Sequence, residues 1–297
     1  MLDLSLNQLN KHFSAKRAVK GISFRLTSGV YGLLGANGAG KTTLMRMICG
    51  ILNPTSGSIQ LNGQDIGRMG ERYRDLLGYL PQDFGYYPDF SAEEFLWYIG
   101  SLKGLTPSAS KGKTRELLRT VALEDVSRKK IRTFSGGMKQ RLGIAQAMIN
   151  DPKILVLDEP TSGLDPKERV RFRNLIADLA RDKIVILSTH IVSDIEYIAD
   201  QILVMKQGEL LMHGTVEDLT ATMEGFVWVC HIPVREAEEW NARYCVSNLR
   251  HEGNLVELRI VSEQKPAGQI TSVAPTLEDF YLYHFQDEQD EINNGRK

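Results

Sequence analysis

Cysteine is scarce in this sequence: there are three in 297 residues, Cys49, Cys230 and Cys245, far apart and without CxxC or Cys/His spacing. That argues against a disulfide framework or a cysteine-based zinc site, and fits reduced thiols in a cytosolic protein. Long hydrophobic runs are missing as well. No stretch approaches the ~18 consecutive apolar residues of a membrane helix, so the chain is not expected to cross a bilayer by itself. Neither sign of charge is in excess, with Lys+Arg 36 against Asp+Glu 37 and a formal net charge of -1. No global basic field exists to hold nucleic acid or an anionic bilayer, and no nucleic-acid partner is expected. The opening MLDLSLNQLNKHF has no basic segment followed by an apolar core, so no secretory leader is expected. Heptads and internal repeats are not seen either.

What remains is ordinary globular composition, 42% hydrophobic and 25% charged, at a length suited to one large domain and a smaller one. Leu2, Leu4 and Leu6 alternate with polar residues, as do Ile22, Phe24 and Leu26, and both segments read as half-buried strands. Val30 to Leu34 reads as a buried strand running into a glycine loop and a helix. Residues 58–61 followed by Asn62-Gly63 give a strand and a tight turn. Ser91 and Glu94 form a capping box before Phe95, Ile99 and Leu102 at helical spacing. Residues 104–114, GLTPSASKGKT, read as a polar connector.

From 135 onward helix and strand alternate. A helix is expected at about 136–149, a buried strand at Ile154–Leu157, and a helix started by Asp165-Pro166 with Phe172, Leu175, Ile176 and Leu179 on one face. Then follow a strand at Ile184–Leu187, a helix near 191–199, and a hairpin around Gln207-Gly208. The alternation implies a parallel sheet with helices on both faces. Beyond 221 the character changes. Strands are expected at 226–231 and 255–261, with a last helix capped by Thr276 through Asp279 and carrying Phe280 and Tyr281. The segment 221–285 reads as a small appended α/β unit before a polar tail.

Two constellations carry chemistry. Gly35-Ala-Asn-Gly38-Ala-Gly40-Lys41-Thr42 fits G-x-x-x-x-G-K-[ST] between a strand and a helix. Such glycines let backbone N–H groups converge on phosphate, where the helix start adds partial positive charge. Lys41 is expected to reach the β/γ-phosphates and Thr42 to ligate Mg²⁺. In Ile154–Glu159, ILVLDE, four apolar residues precede two acids, so Asp158 emerges at the carboxyl end of a buried strand, where ligands bind in doubly wound sheets. Asp158 is expected to hold Mg²⁺, directly or through water, and Glu159 to polarise an attacking water.

Between these two lies Phe134-Ser-Gly-Gly-Met138-Lys-Gln-Arg141, which resembles the signature motif of ATP-binding-cassette (ABC) ATPases. Met138 stands where the family usually has Gln, a departure that leaves the hydroxyl and backbone donors in place. The resemblance covers about residues 1–220. It implies a P-loop NTPase of the α/β class with a parallel core sheet, an antiparallel β subdomain and a helical subdomain at about 88–150. The small C-terminal α/β extension, 221–297, lies beyond it. ATP would sit on Gly35, Asn37, Gly38, Ala39, Gly40, Lys41, Thr42 and Thr43, with Mg²⁺ on Thr42, Gln82 and Asp158. The catalytic set would be Glu159, the switch histidine His190 and the glutamine-loop Gln82. Ser135, Gly136 and Gly137 would contact the γ-phosphate of nucleotide held by a second cassette, and Ser162–Asp165 would form the dimer-interface loop. Phe13 stands where the family stacks an aromatic on adenine, although a core phenylalanine is an equally ordinary reading. Tyr86 and Tyr87 would shape the contact with a membrane subunit, or the local core.

The function implied is that of the ATP-hydrolysing subunit of a transporter, at the cytoplasmic face of the cell membrane. It would drive a separate membrane-spanning permease through ATP-dependent head-to-tail dimerisation, most simply as a homodimer. The segment YLPQDFGYYPDFSAEEFLWYIGSLKG and the closing PTLEDFYLYHF look most like exporter subunits of the drug, antibiotic and peptide efflux kind. Non-transport ABC ATPases fit poorly. Translation factors carry two cassettes in one chain, and chromosome-structure proteins insert long coiled coils, whereas only about 90 residues separate Gly40 from Ser135. A regulator that binds ATP without turnover is disfavoured by the intact Glu159 and His190.

Overall fold

The computed structural model describes residues 2–14 and 16–286, and the polar tail expected after 285 lies outside them from 287 onward. The chain divides into two compact units between Leu211 and Met212.

The first unit opens with β1 (Asp3–Phe13) and β2 (Lys16–Thr27), followed by β3 (Gly29–Leu34) and α1 (Lys41–Ile48). Next come β4 (Ser56–Leu61), β5 (Gln64–Asp65), α2 (Ile66–Met69), α3 (Glu71–Asp75) and β6 (Leu77–Leu80). Strands β2-β1-β4-β5 form an antiparallel sheet whose alternating Leu4, Leu6, Leu9, Ile22 and Leu26 turn into the core. The Asn62-Gly63 turn behind β4 falls where expected, with Asn62 at φ 49 and Gly63 at φ 80.

Three helices follow, α4 (Ala92–Leu102), α5 (Pro107–Thr120) and α6 (Gly136–Ala147), and they pack on one another. The capping box of α4 is formed as expected: Glu94 N donates to Ser91 Oγ at 3.2 Å and Ser91 N to Glu94 Oε2 at 2.7 Å. The expected connector 104–114 is not a connector. Thr106 caps α5 and Pro107 opens it. Its buried face is Ser110, Thr114, Leu117 and Leu118, so the half within 104–114 shows the core only small polar residues and gives no apolar periodicity. Small size is needed there, because a Cβ on Gly100 would lie 2.4 Å from Ser110 Oγ.

The core sheet is completed by β7 (Ile154–Asp158), α7 (Pro166–Leu179), β8 (Ile184–Ser188), α8 (Val192–Ile198), β9 (Gln201–Lys206) and β10 (Glu209–Gly214), in the order β10-β9-β3-β8-β7-β6. Pairs β9/β3, β3/β8, β8/β7 and β7/β6 are parallel, as the helix–strand alternation implied. Every residue of β7 and β8 is buried, the pattern of a sheet covered on both faces.

The second unit holds α9 (Val216–Ala221), β11 (Val227–Pro233), α10 (Ala237–Arg243), β12 (Cys245–Glu252), β13 (Leu255–Val261), β14 (Ile270–Ser272) and α11 (Leu277–His284). Helix α9 packs on α11, which puts the division some ten residues ahead of the change in composition at 221. The sheet is antiparallel in the order β12-β13-β11-β14, with Cys230, Ile232, Val256, Leu258 and Ile260 packed against Trp240 and Tyr244. Of its strands, β11 and β13 match the expected segments. Edge strand β12 is mostly exposed, so it lacks the alternation that would mark it.

One ion pair ties β12, β13 and α11 together. Arg259 grips the buried Asp279 with Nη2 to Oδ2 at 2.7 Å and Nε to Oδ1 at 3.0 Å, while Ser247 Oγ donates to Oδ1 at 2.6 Å. Burial raises the Asp279 carboxyl, but Arg259, Ser247 and Thr276 outweigh it and hold it below its ordinary value. A depressed carboxyl stabilises the fold above its unfolded pKa, and that contribution is lost as pH falls through the folded value. Urea unfolding followed by the fluorescence of Trp228 and Trp240 is therefore expected to show this unit weakening below about pH 4. Asp279→Ala is expected to cost about 3 kcal/mol at neutral pH by stranding Arg259, and to flatten that acid dependence.

Candidate functional site

The carboxyl ends of β3, β7 and β8 lie next to one another, so the segments following them share one rim. After β3 the chain turns through the glycine loop into α1, whose N-cap, Gly40, sits at φ 104. Glycine is required twice here. A Cβ on Gly40 would meet Ala18 O at 2.4 Å, and one on Gly35 would meet Met205 O at 2.3 Å. Lys41 Nζ donates to Gly35 O at 2.6 Å and Ala36 O at 3.1 Å, which holds the ammonium inside the loop.

After β7 and β8 come the acids and the histidine. Asp158 is opposite Ser188 in the parallel register. Ser188 Oγ donates to Asp158 Oδ1 at 2.6 Å and accepts from Glu159 N at 3.0 Å, so one hydroxyl orients both acidic residues. Thr42 Oγ1 donates to the same Asp158 oxygen at 3.3 Å. Glu159 adopts φ 50, a left-handed conformation costly for a residue with a Cβ, of the kind that clusters at functional sites. Its Oε2 lies 2.8 Å from His190 Nδ1.

These groups surround a cavity of about 340 Å³ lined by Phe13, Lys16, Asn37, Gly38, Gly40, Lys41, Thr42, Thr43, Gln82, Glu159 and His190. Gly35, Ala39 and Asp158 lie buried beneath that lining. Phe13 is 46% exposed at the mouth, with Lys11 Nζ 5.3 Å from its ring centroid, so it is not a core residue. Ser135, Gly136 and Gly137 are elsewhere. Ser135 Oγ caps α6 by accepting from Met138 N at 3.2 Å, and a Cβ on Gly137 would lie 2.8 Å from Glu168 Oε2. Tyr86 is half-buried, its ring 5.5 Å from that of Phe84, whereas Tyr87 is exposed and is not a core residue. The exposed Tyr87 and Tyr98 form an aromatic cluster with the half-buried Phe90.

Comparison with known proteins accounts for this arrangement. The profile described as "ABC transporter" matches residues 19–162. The ABC transporter ATP-binding protein YxlF of Bacillus subtilis (strain 168) is 40% identical over 238 residues, 80% of this chain and 79% of that protein. The chain belongs to the ABC transporter ATP-binding proteins. It is an ATPase of the ABC type. The Nod factor export ATP-binding protein I of Burkholderia lata is 38% identical over 213 residues, 71% of this chain and 70% of that protein. Among solved structures, an ATP-binding subunit of an ABC transporter superposes with a TM-score of 0.66 at 28% identity, over 74% of this chain and 92% of that one.

Two lining or supporting residues of this ABC ATPase were not singled out from sequence. Lys16 brings a second ammonium to the cavity wall and belongs to no motif. Ser188 carries no motif meaning on its own; its role comes from the β7/β8 register, which a single sequence does not display. Ser188→Ala is expected to lower turnover about ten- to a hundred-fold, the usual cost of losing a hydrogen-bonding group that orients a side chain at a metal site. ATP binding should change much less. Phosphate release together with an equilibrium nucleotide titration checks both halves.

Proposed function

We propose that this chain is the ATP-hydrolysing subunit of an exporter, working as a head-to-tail homodimer beneath a separate membrane-spanning permease. The observation that carries the proposal is the separation, within one chain, of the glycine-loop cavity from the exposed start of α6. The glycine loop, Glu159 and His190 line one cavity, while Ser135–Gly137 lies outside it, at the start of α6. A helix start with a free approach favours anions, yet this one does not serve the nucleotide of its own chain. A second copy, inverted, supplies it with one.

In this reading adenine stacks on Phe13, and the phosphates sit on residues 35–43 with Lys41 among them. The hydroxyl of Thr42 and the carboxylate of Asp158 are hard oxygen donors facing one another at 3.3 Å, a set that fits Mg²⁺, with Gln82 at the rim. The ion, when bound, screens charge on the transferring phosphoryl group. Glu159 polarises the attacking water. An ionised Glu159 can only accept, so His190 Nδ1 carries the proton between them, leaving Nε2 to water or, once protonated, to a γ-phosphate oxygen. The left-handed backbone at Glu159 and the Ser188 hydroxyl supply the positioning.

Export is supported by the name of the Nod factor relative. Docking of the permease is supported by a groove of about 410 Å³ lined in part by Cys49, Ile51, Phe84, Phe95 and Ile99, beside the Tyr87–Phe90–Tyr98 aromatics. Of this surface Ile51, Tyr87 and Tyr98 are exposed, and exposed apolar and aromatic side chains of this kind mark interfaces. No helix among the described residues is long and apolar enough to cross a membrane, and in this reading the chain attaches to the cytoplasmic face of the cell membrane through its permease.

Glu159→Gln tests the proposal. It keeps size and reach while removing the charge that polarises water, so turnover should fall about 10²–10⁴-fold. ATP should then hold two copies together, visible as an ATP- and Mg²⁺-dependent dimer in sedimentation or light scattering. Adding Ser135→Arg should return the protein to monomer by filling the second anion site. Turnover at the wild-type rate in Glu159→Gln would remove Glu159 from the chemistry.

A further inference from the structure

The unit that begins at Met212 carries a polar cluster that plays no part in the nucleotide site. His231 on β11 is directly opposite Glu257 on β13, and Glu252 ends β12 just before the tight turn back into β13. Strand alternation puts Cys230, Ile232, Val256 and Leu258 in the core and sends His231 and Glu257 to the other face. His231 Nε2 lies 3.4 Å from Glu252 Oε2 and 3.5 Å from Glu257 Oε2. One ligand atom from each of the three lies within 4.8 Å of the others.

We propose that His231, Glu252 and Glu257 form a binding site for a divalent first-row transition ion, with Zn²⁺ the best match. Bonds of about 2.0–2.2 Å to imidazole nitrogen and carboxylate oxygen, arranged tetrahedrally, put neighbouring ligand atoms about 3.3–3.5 Å apart. The two separations from Nε2, 3.4 and 3.5 Å, have that length. Both exceed the 2.7–3.2 Å of an ordinary N–H···O bond. Nε2 has a single proton or a single lone pair, so it cannot donate well to two carboxylates at once. A shared cation satisfies all three groups together and relieves the repulsion between the two acids. The mixed imidazole–carboxylate set suits zinc and its neighbours better than calcium or magnesium.

Neighbouring charges leave the site available. Arg250, across from Glu257 on β12, approaches only the other Glu252 oxygen, with Nε 3.8 Å from Oε1, and is largely exposed. Arg259, two residues beyond Glu257, is committed to Asp279. The three ligands are each between a third and a half exposed, so water can complete the coordination. A bound ion clasps β11 to the β12–β13 hairpin and stabilises this unit by mass action.

Zinc titration of the untagged, nucleotide-free full chain tests the site, by calorimetry or by competition with a chromogenic chelator. Because the nucleotide-site acids and the acidic residues after 286 also attract zinc, the reading is the difference between wild type and His231→Ala. The wild type should bind one zinc ion per chain more than His231→Ala. Glu257→Gln should weaken that ion at least ten-fold, and ATP turnover with Mg²⁺ should be unchanged in both variants. Zinc should raise the melting temperature of the 212–286 unit in the wild type and not in His231→Ala, whose melting without zinc reports that it folds. Equal zinc stoichiometry and equal melting shifts in wild type and His231→Ala would overturn the proposal and leave an ion-pair cluster only.

Discussion

Three parallel strands end side by side in the larger unit, and the site depends on the register between them. Leu33 of β3 and Asp158 of β7 both pair with Ser188 of β8. From that alignment the glycine loop starts beside the Asp158 carboxylate, and the Ser188 hydroxyl reaches both Asp158 and the Glu159 amide. Slipping any one strand by a residue would turn its side chains to the opposite face and separate the hydroxyl from the acids. The register is held by an all-apolar interior in β7 and β8, so hydrophobic burial fixes the geometry of the polar chemistry at its edge.

The start of α6 obeys a different constraint. Gly137 allows Glu168 of α7 to approach, and Glu168 in turn pairs with Arg141 at 3.3 Å between two largely buried side chains. Arg141 Nη1 also donates to Val121 O and Ala122 O at 2.9 Å. The signature helix is thereby braced against both α7 and the segment after α5. Met138 in place of the usual glutamine does not disturb the bracing, because its contribution to the cap is its backbone N–H.

Much of this was legible in the sequence, for identifiable reasons. The glycine loop, the ILVLDE strand end and the Asp165-Pro166 helix start are local signals, where residue type and spacing dictate backbone conformation. Helix α5 looks like a connector in the sequence because its first turns bury Ser110 and Thr114 in place of leucine. Phe13 could not be assigned between core and surface from alternation alone, and its 46% exposure decides between them. Ser188, Lys16 and the His231–Glu252–Glu257 cluster depend on which strands become neighbours, which is a property of the sheet and not of any segment.

In the proposed dimer one nucleotide is served by two chains, through the cavity of one and Ser135 of the other. Mixing two inactive variants shows whether the site is shared. Lys41→Ala disables the cavity and Ser135→Arg disables the opposite anion site, so every composite site in either homodimer is defective. In a mixed dimer, the cavity of the Ser135→Arg copy faces the intact Ser135 of the Lys41→Ala copy, and one composite site is whole. Phosphate release that is absent from each variant alone and appears on mixing is the predicted result. Strong turnover by Ser135→Arg alone, or none in the mixture when the two chains demonstrably associate, would contradict the account.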